Sequence, residues 1–311
     1  MRYIIILLIS LFIFFGCTKK KESTIRLAAV QWIGYAPLFV ADAKGWLPSN
    51  VKLVEFPSNY DILEAIKSID LEAAALTLDE VIRIRSNDHK NFMVIGVIDY
   101  SSGADAIVAD PAINSVSQLK GKRVAYEPKS IQEFMLHRAL ELSGMDMSDI
   151  TPVLVQYDTV LQMRRKDAFD AAVTFEPVKS RLIQSDMHTI FDSSQIPYEI
   201  IDVLAVDEAL IDSHPKTLSA LLKAYFKGVR YIKEDPKANE LLAHIFHATP
   251  DQIETMLKGV KILDCKENLD YFQSKAARTA AIIARHLKRT GIVEEPDIDL
   301  FEPTFVEEIC R

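Results

Sequence analysis

QWIGYAPLFVADAKGWL, residues 31–47, is the stretch on which the reading of this chain turns. It follows an apolar run at 25–30 that reads as a strand. Its first five residues then make a loop, and residues 36–46 a helix, with Pro37 suited to the first turn and Gly45 to the end. The same order recurs outward from it. Residues 51–56, 72–76 and 92–98 read as further strands, with helical patterns at 61–68 and 78–85 between them. Strand–helix alternation at this spacing predicts an α/β fold with mostly parallel sheet and helices on its faces.

The pattern then restarts. Strands are expected at 106–109, 123–126, 152–156, 171–174 and 200–206, the last completing a second set, with a helical turn at 117–119 and a helix at 130–143 stopped by Gly144. From Ser213 onward the chain reads as helices at 215–234, 237–246, 250–260 and 269–290. The last carries the small residues Ala276, Ala277, Ala280, Ala281 and Ala284.

Two small α/β lobes in one chain meet at a cleft, and ligands of open α/β sheets sit beyond the carboxyl ends of the strands. The loops there carry aromatic rings, hydroxyls, amides and carboxylates. Trp32 and Tyr35 offer flat apolar walls with a polar edge, and Gly34 between them would let the backbone turn tightly. Ser130 stands at the N-cap of a helix whose first N–H groups could receive an anionic oxygen. Asn59, Thr77, Tyr100, Ser101 and Thr174 supply further hydrogen-bonding groups. Serine and asparagine also occupy turns simply because they bond the backbone, so each of these hydroxyls has a structural reading beside the functional one. Trp46, beside Leu47, reads as packing.

Charge is the handle on the ligand. Asp99, Asp105, Glu127, Glu176 and Asp202 all fall in or beside cleft and hinge segments, and Lys129 is the one obvious cation there. That balance opposes an anion and favours an ammonium, amidinium or aminopyrimidine group.

The first residues speak to compartment. Arg2 precedes an almost unbroken apolar run at 3–16, which as a helix would reach about 21 Å, short of the ~30 Å hydrocarbon core. It reads as the heart of a signal peptide. The ending Phe14-Phe15-Gly16-Cys17 resembles the lipobox of bacterial lipoproteins, which implies cleavage after residue 16 and acylation of Cys17. Residues 17–24, with Lys19, Lys20 and Lys21, make a polar tether. The formal net charge of −8, without a basic stripe, argues against a nucleic-acid partner. Cys265 and Cys310 remain after Cys17, and spacing alone leaves their pairing open.

Enzyme signatures are absent: there is no GxSxG, Walker A, HExxH or GxGxxG, and no cofactor is expected. His244 and His247, with Glu240 one turn earlier, could share a helix face as metal ligands, but no further ligand cluster accompanies them.

Four motifs carry a family resemblance. QWIGYAPLFVADAKGWL at 31–47, DYSSGADAIVA at 99–109, LKGKRVAYE at 119–127 and FDAAVTFEPV at 169–178 resemble, in order and spacing, the SsuA/THI5-like (NMT1-like) solute-binding family. The resemblance covers most of residues 25–206. It implies a type II periplasmic-binding-protein fold, two α/β lobes around a central cleft with a two-strand hinge. Lobe 1 would be residues 25–100 and 207–311, and lobe 2 residues 101–206. It places the cleft loops on Trp32, Gly34, Tyr35, Asn59, Thr77, Ser101, Ser130, Thr174 and Glu176, to which Tyr100 and Asp202 are added as neighbours. It also implies a monomeric, extracytoplasmic lipoprotein that hands a small polar solute to an ABC permease with its ATPase. A ligand-sensing lipoprotein serving a membrane kinase, or an enzyme of pyrimidine or menaquinone precursor metabolism on the same fold, stays open as an alternative.

Overall fold

The computed structural model describes residues 23–68 and 71–311. The expected leader, Cys17 and all of the tether before Ser23 lie outside the described residues. Among the described residues, no helix is long and apolar enough to cross a membrane.

Eleven strands are described: β1 (Ile25–Ala29), β2 (Val51–Glu55), β3 (Ala73–Thr77), β4 (Phe92–Ser101), β5 (Asp105–Ala109), β6 (Arg123–Tyr126), β7 (Thr151–Leu154), β8 (Ala171–Phe175), β9 (His188–Asp192), β10 (Ile201–Asp207) and β11 (Val260–Ile262). They form two sheets, ordered β11-β4-β10-β3-β1-β2 and β7-β6-β8-β5-β9. Helices cover both, giving two α/β lobes that face each other across a cleft. The chain crosses between them twice, after β4 and again before β10.

Those crossings correct two expectations. The sheets are mixed, not mostly parallel: β10 runs antiparallel to β3 and β4, and β5 antiparallel to β8 and β9, while β1 with β2 and β3, and β6 with β7 and β8, stay parallel. The reason is topological. Apart from the short edge strand β11, which is also antiparallel to β4, the other strands of each sheet end at the cleft, whereas a strand arriving from the opposite lobe must start there and run away from it. For the same reason the strand expected at 200–206 in the second set lies in the first sheet, inserted between β3 and β4. Its apolar run reveals a buried strand, but nothing local names the neighbours.

The strands at the centre are short runs of alanine and β-branched residues because helices cover both faces; every residue of β3, β5 and β8 is buried. The helix expected at 269–290 is two helices, Cys265–Ser274 and Ala276–Arg289. Their packing partners differ. The first is tied by a disulfide between Cys265 and Cys310, with Cα atoms 5.3 Å apart, to the terminal helix Thr304–Cys310. The second packs on helix Leu78–Asp88 and sets His286 edge-on to Phe134 of the second lobe, 4.9 Å between centroids. His247 lies beyond helix Ala238–Ile245 with φ of 52°, so it does not share a helix face with His244.

Candidate functional site

Five strands, β1, β2, β3, β6 and β8, end at the cleft and lead into helices that start there. Between the lobes they leave a cavity of about 10 Å³, roughly the room one water needs. From the first lobe it is lined by Val30, Trp32, Tyr35, Asn59, Thr77 and Asp202, from the second by Asp105, Ile131 and Phe175, and Ile200 of the second crossing closes it. Trp32 meets Phe175 edge to face across the lobes, centroids 5.5 Å apart and planes at 87°. Tyr157 stacks on the other side of Phe175 at 4.1 Å.

The floor is a carboxyl pair. Asp202 of β10 stands directly opposite Asp99 of β4 and Thr77 of β3 in the ladder. The Asp99 and Asp202 side chains are close enough that, besides burial, the charge of Asp99 raises Asp202, so the pair resists being doubly ionised. Trp32 Nε1 donates to Asp99 Oδ2 at 3.2 Å and Tyr35 Oη to Asp202 Oδ1 at 2.6 Å. Burial pushes Asp99 up to about 8. Asp202 is held well above the usual carboxylate range by burial and then by the neighbouring Asp99 charge. Asp105 is raised to about 7, again chiefly by burial.

A second tier of acids bridges the lobes at helix starts. Glu80 caps its own helix by accepting from Thr77 N at 3.0 Å, binds Asn59 Nδ2 at 2.8 Å and reaches Ile131 N of the second lobe at 3.4 Å. Glu127 accepts from Tyr157 N at 3.1 Å and, across the cleft, from Tyr60 N at 3.3 Å. Burial raises both to about 7. Arg83 spans the lobes, bonding Asp79 at 3.1 Å and Glu133 at 2.7 Å. The N–H groups at these helix starts, which suit anions, are thus already engaged by the protein's own carboxylates.

On the residues that line the cavity, the unpartnered side-chain atoms are two oxygens. Asn59 Oδ1 and Asp105 Oδ2, on residues lining the cavity, are buried oxygens without a partner among the described residues. Both are acceptors.

Of the residues expected from sequence, Trp32, Tyr35, Asn59, Thr77 and Asp202 come together at the cavity. Gly34 lies in the 3-10 turn Ile33–Tyr35 with no positive φ, which corrects the expectation of a tight-turn glycine; its role is spatial and concerns Asp99. Tyr100 is corrected too. Strand alternation sends Asp99 inward and Tyr100 away, against Tyr198 at 5.0 Å. Ser101 joins the hinge, its Oγ 2.7 Å from Ser193 Oγ and accepting from Asp105 N at 3.1 Å. Ser130 is an N-cap whose hydroxyl accepts from Gln132 N at 3.2 Å and donates to the Glu127 carbonyl at 2.9 Å. Thr174 points to the face of β8 opposite Phe175, and Glu176 accepts from Ser180 N at 3.1 Å. Lys129 is not the only cation near the cleft. Arg83 is one more, and Lys179 donates to the Gly103 carbonyl at 2.7 Å.

Sequence reading missed Asp79, Glu80, Arg83, Ile131, Tyr157 and Phe175. A signal for Glu80 was present: Thr77-Leu78-Asp79-Glu80 is a capping box, and that motif puts its glutamate at a helix start. Nothing local announces Phe175 or Tyr157, because both matter through contacts across the lobes.

Comparison with known proteins adds the following. A family model described as NMT1/THI5 like matches residues 32–239. An Escherichia coli (strain K12) protein described as an aliphatic sulfonates-binding protein is 26% identical over 158 residues, 49% of this chain and 49% of its own, so the match spans about half the length of that relative. Among solved structures, the alkanesulfonate-binding protein SsuA of Xanthomonas axonopodis pv. citri, bound to MOPS, superposes with a TM-score of 0.75 at 16% identity, covering 90% of this chain and 96% of that one. The ligand-binding component of an ABC-type import system from Staphylococcus aureus, with zinc bound, superposes with a TM-score of 0.76 at 14% identity, covering 92% and 99%. At such identities the likeness is one of fold.

Proposed function

The chain belongs to the NMT1/THI5-like family, and from that premise we propose that it is the extracytoplasmic solute-binding lipoprotein of an ABC importer, selecting a small solute with a cationic, nitrogen-bearing end. The family and the two-lobed fold support a solute-binding protein. Acylation of Cys17 would tether it to the membrane, and an ABC permease with its ATPase would receive the solute.

One observation carries the ligand class. The unpartnered buried atoms at the cavity, Asn59 Oδ1 and Asp105 Oδ2, are acceptors, and Asp99, Asp202 and Glu80 stand behind them. A buried acceptor without a donor costs about 1–3 kcal/mol. A solute presenting N–H donors satisfies both acceptors, and its positive charge would favour the ionised form of the neighbouring acids, which burial otherwise holds back. An oxyanion does neither and meets helix starts whose N–H groups Glu80 and Glu127 already hold.

A thermal-shift screen tests this. Amidines, polyamines and aminopyrimidines should stabilise the purified protein, a ligand at 100-fold above its Kd by about 2.7 kcal/mol. Stabilisation by simple alkanesulfonates or nitrate alone, which carry no cationic nitrogen, would overturn the cationic reading. The anchoring part has its own test: Cys17→Ser should shift the protein from the membrane to the soluble fraction or block its processing. Unchanged fractionation with an intact N-terminus would refute acylation.

A further inference from the structure

A second, larger cavity of about 330 Å³ lies at the outer edge of the cleft, with Lys67, Arg83 and Asp88 on the first-lobe side and Lys129 and Glu133 on the second. Arg83, on its lining, donates to the Ser130 carbonyl at the start of helix Ile131–Leu142 at 3.4 Å. Ile131 lines the inner cavity and Lys129 the outer one. Two positions apart, their Cα atoms are within about 7.6 Å, since consecutive Cα atoms are ~3.8 Å apart.

The outer charges are not equivalent. Arg83 is committed to Asp79 and Glu133, and Lys67 to Glu64 at 3.2 Å and Asp88 at 3.3 Å. Among the described residues, Lys129 has no carboxylate partner. Its Nζ rests 5.7 Å from the centre of the Tyr60 ring. Its backbone has φ of 61°, a conformation that a residue with a β-carbon keeps only where its surroundings fix it. The neighbouring bonds do so: Ser130 Oγ donates to the Glu127 carbonyl, and Gln132 Oε1 accepts from Glu127 N at 2.8 Å. The fold therefore fixes in place the turn that carries a free ammonium at the cleft mouth, within one small molecule's length of an acceptor-lined cavity.

Resting on the reading of the inner cavity as a cation site, we infer that Lys129 is the anion-recognising residue of an outer subsite, and that the solute is a zwitterion whose small oxyanion end lies at Lys129. The cationic end enters between Trp32, Phe175 and the acids. The oxyanion meets Lys129, with the Arg83 and Lys67 charges, partly neutralised by their own partners, as a weaker background.

Two measurements on the full chain test this. In the first, inorganic phosphate is titrated into ¹⁵N-labelled protein; the Lys129 and Ser130 amide signals should shift, and the shift should vanish in Lys129→Gln. In the second, calorimetry compares arginine with agmatine, which differ only in the carboxylate. Arginine should bind about tenfold more tightly, a difference of about 1.4 kcal/mol; Lys129→Gln should lower its affinity to that of agmatine, and Lys129→Arg should keep the preference. Equal binding of the two solutes overturns the zwitterion inference and leaves the cationic reading standing. A phosphate shift at Lys129 with no binding of either solute supports the outer subsite and counts against the cationic reading. Silence in both measurements overturns both.

Discussion

Gly34 and Asp99 pack so closely that a β-carbon on Gly34 would lie 2.0 Å from Asp99 Oδ2. The carboxyl group has little room to retreat, because it is buried, bonded to Trp32 and set opposite Asp202 in the ladder. Gly34→Ala should therefore cost about 1–3 kcal/mol, as overpacking does in a filled interior, and should weaken ligand binding by displacing Trp32. Denaturant unfolding checks the first effect; an unchanged midpoint would show that Asp99 has freedom the packing denies it.

Trp32 joins the lobes through Phe175 as well as lining the cavity. There are two tryptophans, and Trp46 sits elsewhere with Lys227 over its ring at 3.9 Å. A Trp46→Phe variant thus makes Trp32 the sole reporter, and its emission should change when a solute binds. Trp32→Ala should bind at least about tenfold more weakly, a loss of about 1.4 kcal/mol. Normal affinity in that variant would remove the indole from the binding surface.

The buried acids give a pH dependence of defined sign. Asp99, Asp105, Glu80 and Glu127 have folded values of about 8, 7, 7 and 7, against ordinary values of 3.8 for aspartate and 4.5 for glutamate. The folded chain thus holds more protons than the unfolded one between about pH 4 and pH 8, so stability falls as pH rises through that window. Carboxylates held below their ordinary range, such as Glu72 beside Arg26 and Asp170 beside Arg123, act the other way, and only at lower pH. Thermal unfolding should therefore occur at a lower temperature at about pH 8.5 than at about pH 5.5, and Asp99→Asn should flatten the slope. A midpoint that climbs over this range would contradict the raised values of these buried acids.

The disulfide closes a separation of 45 residues between Cys265 and Cys310. On the chain-entropy account, opening it by Cys265→Ser with Cys310→Ser should cost about 3–4 kcal/mol. Its loss should loosen the terminal helix before the sheets. Hydrogen exchange localises the effect: faster exchange confined to helices Cys265–Ser274 and Thr304–Cys310 is expected, and uniform acceleration would place the disulfide in the global core.

The sequence by itself determined what depends on near neighbours along the chain. Short apolar runs and helical spacing marked most of the strands and helices, and four motifs in order marked the family. Trp32, Tyr35, Asn59 and Thr77 were legible because each sits where a strand gives way to a helix. What depends on distant partners was decided only by tertiary structure. The place of β10 between β3 and β4 set Asp202 against Asp99, and Tyr35 finds Asp202 from 167 positions away. Whether Asp99 or Tyr100 faced the cleft turned on register, since one step along a strand reverses the face. The acids read as a charge balance in the sequence are held above the usual carboxylate range because burial, which only the packed lobes create, removes the water that would keep them ionised.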